Sequence, residues 1–111
     1  MEYEGVAAVL AQIRPTGYFD RNGRPVEVDE YLLLMADPDY HQVTETVLSE
    51  VRISTKFDGV QPYWQGIGAP QLFRTTIHGG ARDGWSQTCP TELCARSCHA
   101  QLVTNLRKVT R

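Results

Sequence analysis

Hydrophobic and polar residues alternate with a period of two in two central stretches of the chain. In residues 51–57 the odd-numbered positions are hydrophobic or threonine and the even-numbered positions are polar, and residues 73–78 repeat this pattern. This period is typical of a β-strand with one buried face. The intervening segment 59–70 is rich in glycine and proline and is longer than the usual hairpin loop of about two to five residues. We therefore predict two strands joined by a long loop.

A third stretch, residues 42–48, also alternates, and a short connection joins it to the strand at 51–57. We predict that these two segments form an antiparallel hairpin. Further upstream, Asn22 and Gly23 form the dipeptide that favours a type I′ hairpin turn. Because Pro25 lacks a backbone donor, the segment around this turn should lie at a sheet edge, or be only a turn followed by extended chain.

Two apolar segments leave helix and strand as open alternatives. Residues 6–13 show no clear period, although their position before a turn slightly favours a strand. Residues 30–36 contain a continuous apolar run, which periodicity alone cannot assign. If this second segment is a helix, Asp29 caps its start, and the restriction on the residue preceding Pro38 ends it.

The C-terminal segment predicts one long helix, from about residue 91 to 108. Thr91 is placed to cap the helix, and Glu92 lies in the first turn, where the helix dipole favours negative charge. One stripe of mostly apolar residues recurs at three- and four-residue steps and comprises Ala95, Cys98, His99, Leu102, Leu106 and Val109. The preceding segment, 81–88, is polar and rich in turn-forming residues, so we expect a surface linker there.

Together these elements predict an α+β fold, an antiparallel sheet of four to five strands with one C-terminal α-helix packed on a face. The 111 residues fit a single domain over residues 1–111. The formal net charge is −2 and the basic residues are largely scattered, so nucleic acid is not expected as the main partner. No apolar run reaches the roughly 18 residues of a membrane span, and the acidic start is unlike an export signal. We therefore expect a cytoplasmic protein without a membrane partner.

Several motifs of the chain together match a pattern shared by other short proteins. Residues 20–26 form a turn of the form Asp-x-Asn-Gly-x-Pro-Val. Residues 53–62 correspond to a strand and loop of this pattern, and residues 68–80 correspond to a further strand that ends in Gly-Gly. Cys98 and His99 align with a Gly-His in its C-terminal helix. From about residue 18 to residue 106 the chain therefore resembles a family of short, mostly uncharacterised proteins encoded by bacteriophages and prophages.

Two departures from the family pattern affect its polar residues. The Asp-His pair of the family's loop is Gln61 and Pro62 in this chain, and the family's strand glutamate is Arg74. Any activity that depends on those polar residues in the relatives is therefore lost or changed here. The resemblance implies a phage-encoded protein that works in the cytoplasm of a bacterial host, and it implies no established reaction.

The cysteines and histidines allow two chemical hypotheses. Cys89, Cys94, Cys98 and His99 could bind zinc, but the second close ligand pair of a structural zinc site is missing. Cys89 or Cys98 could instead pair with His78 or His99 as an activated nucleophile. We favour reduced, buried thiols and a core histidine that is hydrogen-bonded to the sheet. Accordingly we predict no cofactor, no metal site and no catalytic residue.

The candidate binding surface is aromatic. Tyr63 and Trp64 in the long loop and Trp85 in the linker lie in segments that we expect at the surface, where large aromatic residues often anchor partners. The alternative is that these rings cover the open end of a small core. Neighbouring charged residues complete the predicted partner-binding site: Asp58, Arg74 and Asp83.

Three functional hypotheses remain, in this order. The first is an accessory protein that binds a host or phage protein and inhibits a host process or a bacterial defence system, as anti-CRISPR proteins do. The second is a small metal-binding or thiol enzyme that uses the Cys/His helix. The third is a self-associating structural or assembly component of the phage, with a strand edge that pairs between copies to form a homodimer.

Overall fold

A computed structural model describes residues 17–61 and 68–109 and shows a four-stranded antiparallel sheet within them. The strands are β1 (Gln42–Leu48), β2 (Val51–Phe57), β3 (Phe73–His78) and β4 (Ser86–Cys89), and they pair in chain order. The helices of the described residues are α1 (Val28–Met35), α2 (Pro38–His41) and α3 (Glu92–Val109). Because α3 packs against the sheet, this arrangement confirms the predicted α+β fold.

The central strands bury one face, as the alternating pattern predicts. In β2, Ile53, Thr55 and Phe57 are all buried. Thr55 lies opposite Thr75 of β3, which is buried as well. β1 joins β2 in the predicted hairpin, with Thr46 opposite Ile53. The buried odd-numbered residues of β2 and β3 share the face that α3 covers.

The segment predicted as a linker, residues 81–88, is instead a turn followed by β4. The turn is closed by the Asp83 carboxylate, whose Oδ1 accepts a 2.7 Å hydrogen bond from the Gly79 N–H. Gly79 has a φ of +88°, and a Cβ at this position would lie 2.3 Å from the Glu50 carbonyl oxygen, so only glycine fits. The linker prediction failed because β4 is short and polar and has no hydrophobic alternation of its own. This segment is a strand only because it pairs with β3.

The C-terminal helix agrees closely with its prediction. The Thr91 hydroxyl caps α3 by accepting a 3.1 Å hydrogen bond from the Cys94 N–H. Of the predicted stripe, the buried members are Ala95, His99, Leu102 and Leu106, and Cys98 is partly buried. Val103 is also buried, so the apolar face of α3 is wider than the predicted stripe.

Residues 30–36, left open between helix and strand, are helical. α1 begins at Val28, with Glu27 as an N-cap whose side chain makes no capping hydrogen bond, and Asp29 lies inside the first turn. The prediction that Asp29 is the cap is therefore wrong. The leucines of this run are strong helix formers, and acidic residues suit the first turn of a helix. None of the α1 residues is fully buried, and Leu32 and Leu33 are exposed.

The turn around Asn22 and Gly23 is not type I′. That type requires a positive φ at both central residues, and Gly23 alone has one, of +85°. The Gly23 N–H donates to the Asp20 carbonyl, and the Asp20 N–H donates to the Arg24 carbonyl, so the loop contains a β-turn followed by glycine. Phe19 and Pro25 form an isolated β-bridge across this loop, which fits the alternative of a turn followed by extended chain. The other ambiguous segment, residues 6–13, lies outside the described residues.

Two buried clusters form the core between the sheet and α3. The first comprises Phe19, Phe57, Leu72, Phe73, Cys89 and Ala95. The second comprises Ile53, Ile77, Leu102, Val103 and Leu106. Two polar residues, Thr55 on β2 and His99 on α3, lie between these clusters. The core is therefore divided by a hydrogen-bonded polar layer, which fixes α3 in one position on the sheet.

Candidate functional site

The predicted partner-binding residues do not form one surface. Asp58 and Arg74 form an ion pair at 3.2 Å on the open face of the sheet, the face opposite α3. Asp83 closes the β3–β4 turn, as described above. Trp85 lies at the start of β4 on the α3 side and exposes 37% of its surface. Tyr63 and Trp64 lie outside the described residues, so their role stays a prediction.

The open face around Asp58 and Arg74 is a shallow polar surface. Lys56 lies directly opposite Arg74 in the β2–β3 register, which brings two positive charges together. Asp58 neutralises only one of them. Ser54, next to this pair, is buried, and its hydroxyl has no hydrogen-bond partner among the described residues. Together with Thr76 and His78 these side chains line a depression of about 120 Å³.

Trp85 belongs to a larger groove of about 510 Å³ between β4 and α3, which we call the β4–α3 groove. Its strand wall consists of alternate residues of β4 and the position before it, namely Trp85, Gln87 and Cys89. Its helix wall consists of residues spaced about one turn apart on α3, namely Cys94, Ser97, Cys98, Gln101, Leu102 and Asn105. None of these lining residues carries a formal charge at neutral pH.

The strand wall of the groove is also an edge of the sheet, with no further strand beside it among residues 17–61 and 68–109. The carbonyls of Trp85 and Cys89 accept hydrogen bonds of 2.9 and 3.1 Å from N–H groups in or next to β3. In an antiparallel strand the backbone groups of successive residues point to opposite sides. The N–H and C=O groups of Ser86 and Thr88 therefore point away from β3, and no strand of the described residues pairs with them. A free strand edge beside a groove is the geometry that binds an extended peptide by strand addition.

The three cysteines meet at the end of the groove nearest the start of α3. Cys89 is buried, Cys94 is exposed and Cys98 is partly buried, with its thiol donating to Oε1 of Gln87 at 3.2 Å. Burial, together with the neighbouring Cys94 and Cys98 thiols, raises the pKa of Cys89 to about 12. Burial also raises the pKa of Cys98. These two thiols are therefore protonated and weakly nucleophilic at neutral pH.

His99 is bound to the sheet and not to the thiols. Its Nδ1 lies 2.8 Å from the Thr55 hydroxyl and its Nε2 lies 2.9 Å from the Thr46 hydroxyl. The Thr55 hydroxyl in turn lies 2.7 Å from that of Thr75. Both ring nitrogens are thus engaged by threonines, as the prediction of a sheet-bonded core histidine requires. Burial, and to a smaller extent Arg96, lowers the pKa of His99, so the ring is neutral at pH 7.

Sequence reasoning missed the polar lining of the groove, chiefly Gln87, Gln101 and Asn105. No local pattern separates these amides from ordinary exposed residues. One signal was present for the strand, because Asp83 and Gly84 form a dipeptide that is typical of hairpin turns and lie between β3 and β4. Interpreted as a hairpin turn, this dipeptide predicts a fourth strand and hence a groove wall.

Comparison with known proteins does not assign the chain, since no protein-family model, curated protein or solved structure matches it significantly. The resemblance to phage proteins therefore stays a prediction. Within residues 17–61 and 68–109, no helix is long and apolar enough to cross a membrane. In the same residues, no group of three or more His, Cys, Asp or Glu side chains is arranged to hold a metal ion.

Proposed function

We propose that this chain is a phage-encoded accessory protein that binds a host or phage protein and thereby inhibits a host process or a bacterial defence system, in the manner of an anti-CRISPR protein. Its place of action is the cytoplasm of the bacterial host. The phage context comes from the sequence motifs. The binding mode comes from the β4–α3 groove, and the observation that carries it is the outer side of β4, with which no strand of the described residues pairs.

The geometry favours an extended segment of the partner as the occupant of the groove. A segment beside β4 would satisfy the outward backbone groups of Ser86 and Thr88 through main-chain hydrogen bonds. Alternate side chains of the segment would then point between the two walls, next to Trp85. Because the lining is uncharged, a charged side chain there would lose its hydration without gaining a partner. We therefore expect an uncharged partner segment and binding that depends little on salt.

The proposal includes two further sets of residues, the aromatic pair in the loop between β2 and β3 and the ion pair on the open face of the sheet. Tyr63 and Trp64 are proposed as a second aromatic anchor, in the loop between β2 and β3. Asp58 and Arg74 lie on the opposite face of the sheet from the groove. They contribute to partner binding only if the partner reaches both faces of the sheet. Substitutions in the two regions therefore test them separately.

The alternative of a thiol enzyme is favoured by one observation, the meeting of Cys89, Cys94 and Cys98 in a groove. The imidazole of His99 is engaged by Thr46 and Thr55, so a base for these thiols has to come from elsewhere. The alternative of self-association is favoured by the same strand edge, because a second copy of the chain can also supply the added strand. Sizing at several concentrations separates this alternative from binding to another protein.

An infection assay with a matched pair of edge variants tests the proposal. Bacteria that carry one of several defence systems, CRISPR systems among them, would express the wild-type chain, Thr88→Pro or Thr88→Ala before phage challenge. Both variants lose the same side chain, but only proline removes the outward N–H and blocks the edge. We expect wild type and Thr88→Ala to restore phage plating against one system. Thr88→Pro should bind the partner at least about tenfold more weakly, or by about 1.4 kcal/mol, and should therefore restore plating less.

Two outcomes would contradict different parts of this proposal. If the wild-type chain protects phage against no defence system and alters no host process, the inhibitory role is wrong. If Thr88→Pro folds and protects phage as well as Thr88→Ala does, the strand edge is not the binding site. A Tyr63→Ala/Trp64→Ala variant in the same assay then decides whether the loop is the anchor.

A further inference from the structure

The chain has three cysteines, and the fold gathers all of them in one place. They come from two elements, because Cys89 ends β4, whereas Cys94 lies in the first turn of α3 and Cys98 lies one turn later on the same helix. All three line the β4–α3 groove, and their thiols lie close enough to affect one another's ionisation. Cys89 and Cys98 each interact with both of the other thiols, so the three cysteines form one cluster.

We propose that Cys89 and Cys94 form a reversible intramolecular disulfide when the protein meets a peroxide, which joins β4 to the first turn of α3. Cys94 is the site of first attack because it is the exposed thiol of the three. Cys89 is the resolving thiol, since it neighbours Cys94 while lying behind it in the core.

The reaction takes two balanced steps. The Cys94 sulfur attacks one oxygen of hydrogen peroxide, the O–O bond breaks, and a sulfenic acid and one water are formed. The Cys89 sulfur then attacks the Cys94 sulfur, the S–O bond breaks, and the hydroxyl leaves as a second water after taking the Cys89 proton. Two thiols are oxidised and one peroxide is reduced, and a thiol reductant reverses the bond by exchange.

The raised pKa of Cys89 sets the rate of the second step. Little thiolate is present at neutral pH, so we expect the disulfide to form slowly at pH 7 and faster as the pH rises. The Cys98 thiol is already hydrogen-bonded to Gln87, which disfavours it as a competitor. The chain thus stays reduced in a reducing cytoplasm and is oxidised only under sustained peroxide.

Tryptic mapping after peroxide treatment of the full chain tests the proposal directly. Trypsin cleaves after Arg82 and Arg96, so Cys89 and Cys94 fall in one peptide, 83–96, and Cys98 falls in the next. After alkylation of free thiols, we expect peptide 83–96 to lack two hydrogens and both alkyl groups, and to recover both groups after reduction. Cys98→Ser should oxidise as the wild type does, and Cys94→Ser should give no such peptide.

Other outcomes would overturn the assignment. A cross-link between peptide 83–96 and the peptide that contains Cys98 would make Cys98 the true partner. Sulfinic or sulfonic acid at Cys94 without any disulfide would show that Cys89 does not resolve it. A further consequence, that the bond narrows the groove and weakens partner binding, rests on the proposed function. Because the mapping uses the isolated chain, a failure of disulfide formation is distinguishable from a failure of the proposed partner binding.

Discussion

β1 and β4 are the two edges of the same sheet, but they differ in length, charge and surroundings. β1 has seven residues, a register shift between Gln42 and Thr44, and an exposed carboxylate on Glu45, 3.8 Å from Arg52. β4 has four residues, none of them charged, and lies beside the groove under α3. Bulges and charges are common means of preventing a strand edge from pairing with other chains.

Within the described part of the chain, this comparison indicates that the sheet is protected at the β1 edge and open at the β4 edge. The inner face of β1 is also tied to α3, because Thr46 bonds to His99. The groove beside β4 is lined instead by side chains with few bonds between them, such as that of Cys98 to Gln87. We infer that β1 serves stability and β4 serves recognition, and the predictions below test this division in order of decreasing effect.

The largest effect is expected from His99→Ala, which breaks the link between α3 and β1. The substitution leaves a cavity and deprives the Thr46 hydroxyl of its only hydrogen bond to α3, so the free energy of unfolding should fall by about 2–4 kcal/mol. Urea unfolding measures the loss, and His78→Ala, on the open face, serves as the control with a loss below about 0.5 kcal/mol. Native-state hydrogen exchange should show a greater loss of protection in β1 than in β4. Equal losses of protection in β1 and β4 would contradict the role of His99 as a link between α3 and β1.

A smaller effect is expected from Trp85→Ala, which acts on binding at β4. Loss of an anchoring indole should weaken affinity for the partner found in the infection assay by about 2 kcal/mol, or roughly 30-fold. Leu93→Ala is the matched control, because Leu93 is an exposed hydrophobic residue of α3 that does not line the groove. Calorimetry measures both affinities. A large loss of thermal stability with unchanged affinity would instead show that the Trp85 ring covers the core.

Acid should weaken the β1 side of the molecule before the β4 side. The folded pKa of His99 lies below its unfolded value of about 6.5, so below that pH the unfolded state binds more protons. The stability that a neutral His99 provides is complete above pH 6.5 and decreases as the pH falls, with a slope of at most about 1.4 kcal/mol per unit.

Unfolding measured between pH 5 and 7 checks this prediction. His99→Gln should remove the slope and His78→Gln should keep it, and the reverse would refute the assignment. Glu92 does not interfere in this range. Burial acts to raise its pKa, but Arg21 and Arg96 outweigh burial and lower it, so the stability from Glu92 is lost only below its ordinary value of about 4.5.

The smallest effect on stability is expected from Glu45→Thr, which removes the exposed charge of β1. Its ion pair with Arg52 is exposed and 3.8 Å long, so the unfolding free energy should change by less than about 0.5 kcal/mol. If charge protects this edge, the variant should self-associate at lower concentration than the wild type in sedimentation velocity. A Glu45→Asp variant keeps the charge and should behave as the wild type does. Unchanged association of Glu45→Thr would leave the register shift as the protecting feature.

Local sequence determined the elements whose stability comes from their own pattern. β2 and β3 alternate hydrophobic and polar residues, and α3 has a cap and an apolar stripe, so these elements and the α+β fold were predicted correctly. The sheet-bonded role of His99 followed from its place on that stripe. Periodicity predicts which face a segment buries, because burial of apolar surface is the dominant driving force of folding.

Tertiary structure alone decided where the candidate site lies. Ser86 to Cys89 form a strand only because they pair with β3, and Cys89, Cys94 and Cys98 meet only because α3 returns across the sheet. The expected cluster of Trp85 with Asp58 and Arg74 was divided between the two faces for the same reason, since side chains of neighbouring strands share a face only when their register allows it. Pairing and packing join residues that are distant in sequence, and no local pattern of hydrophobic and polar residues records those contacts.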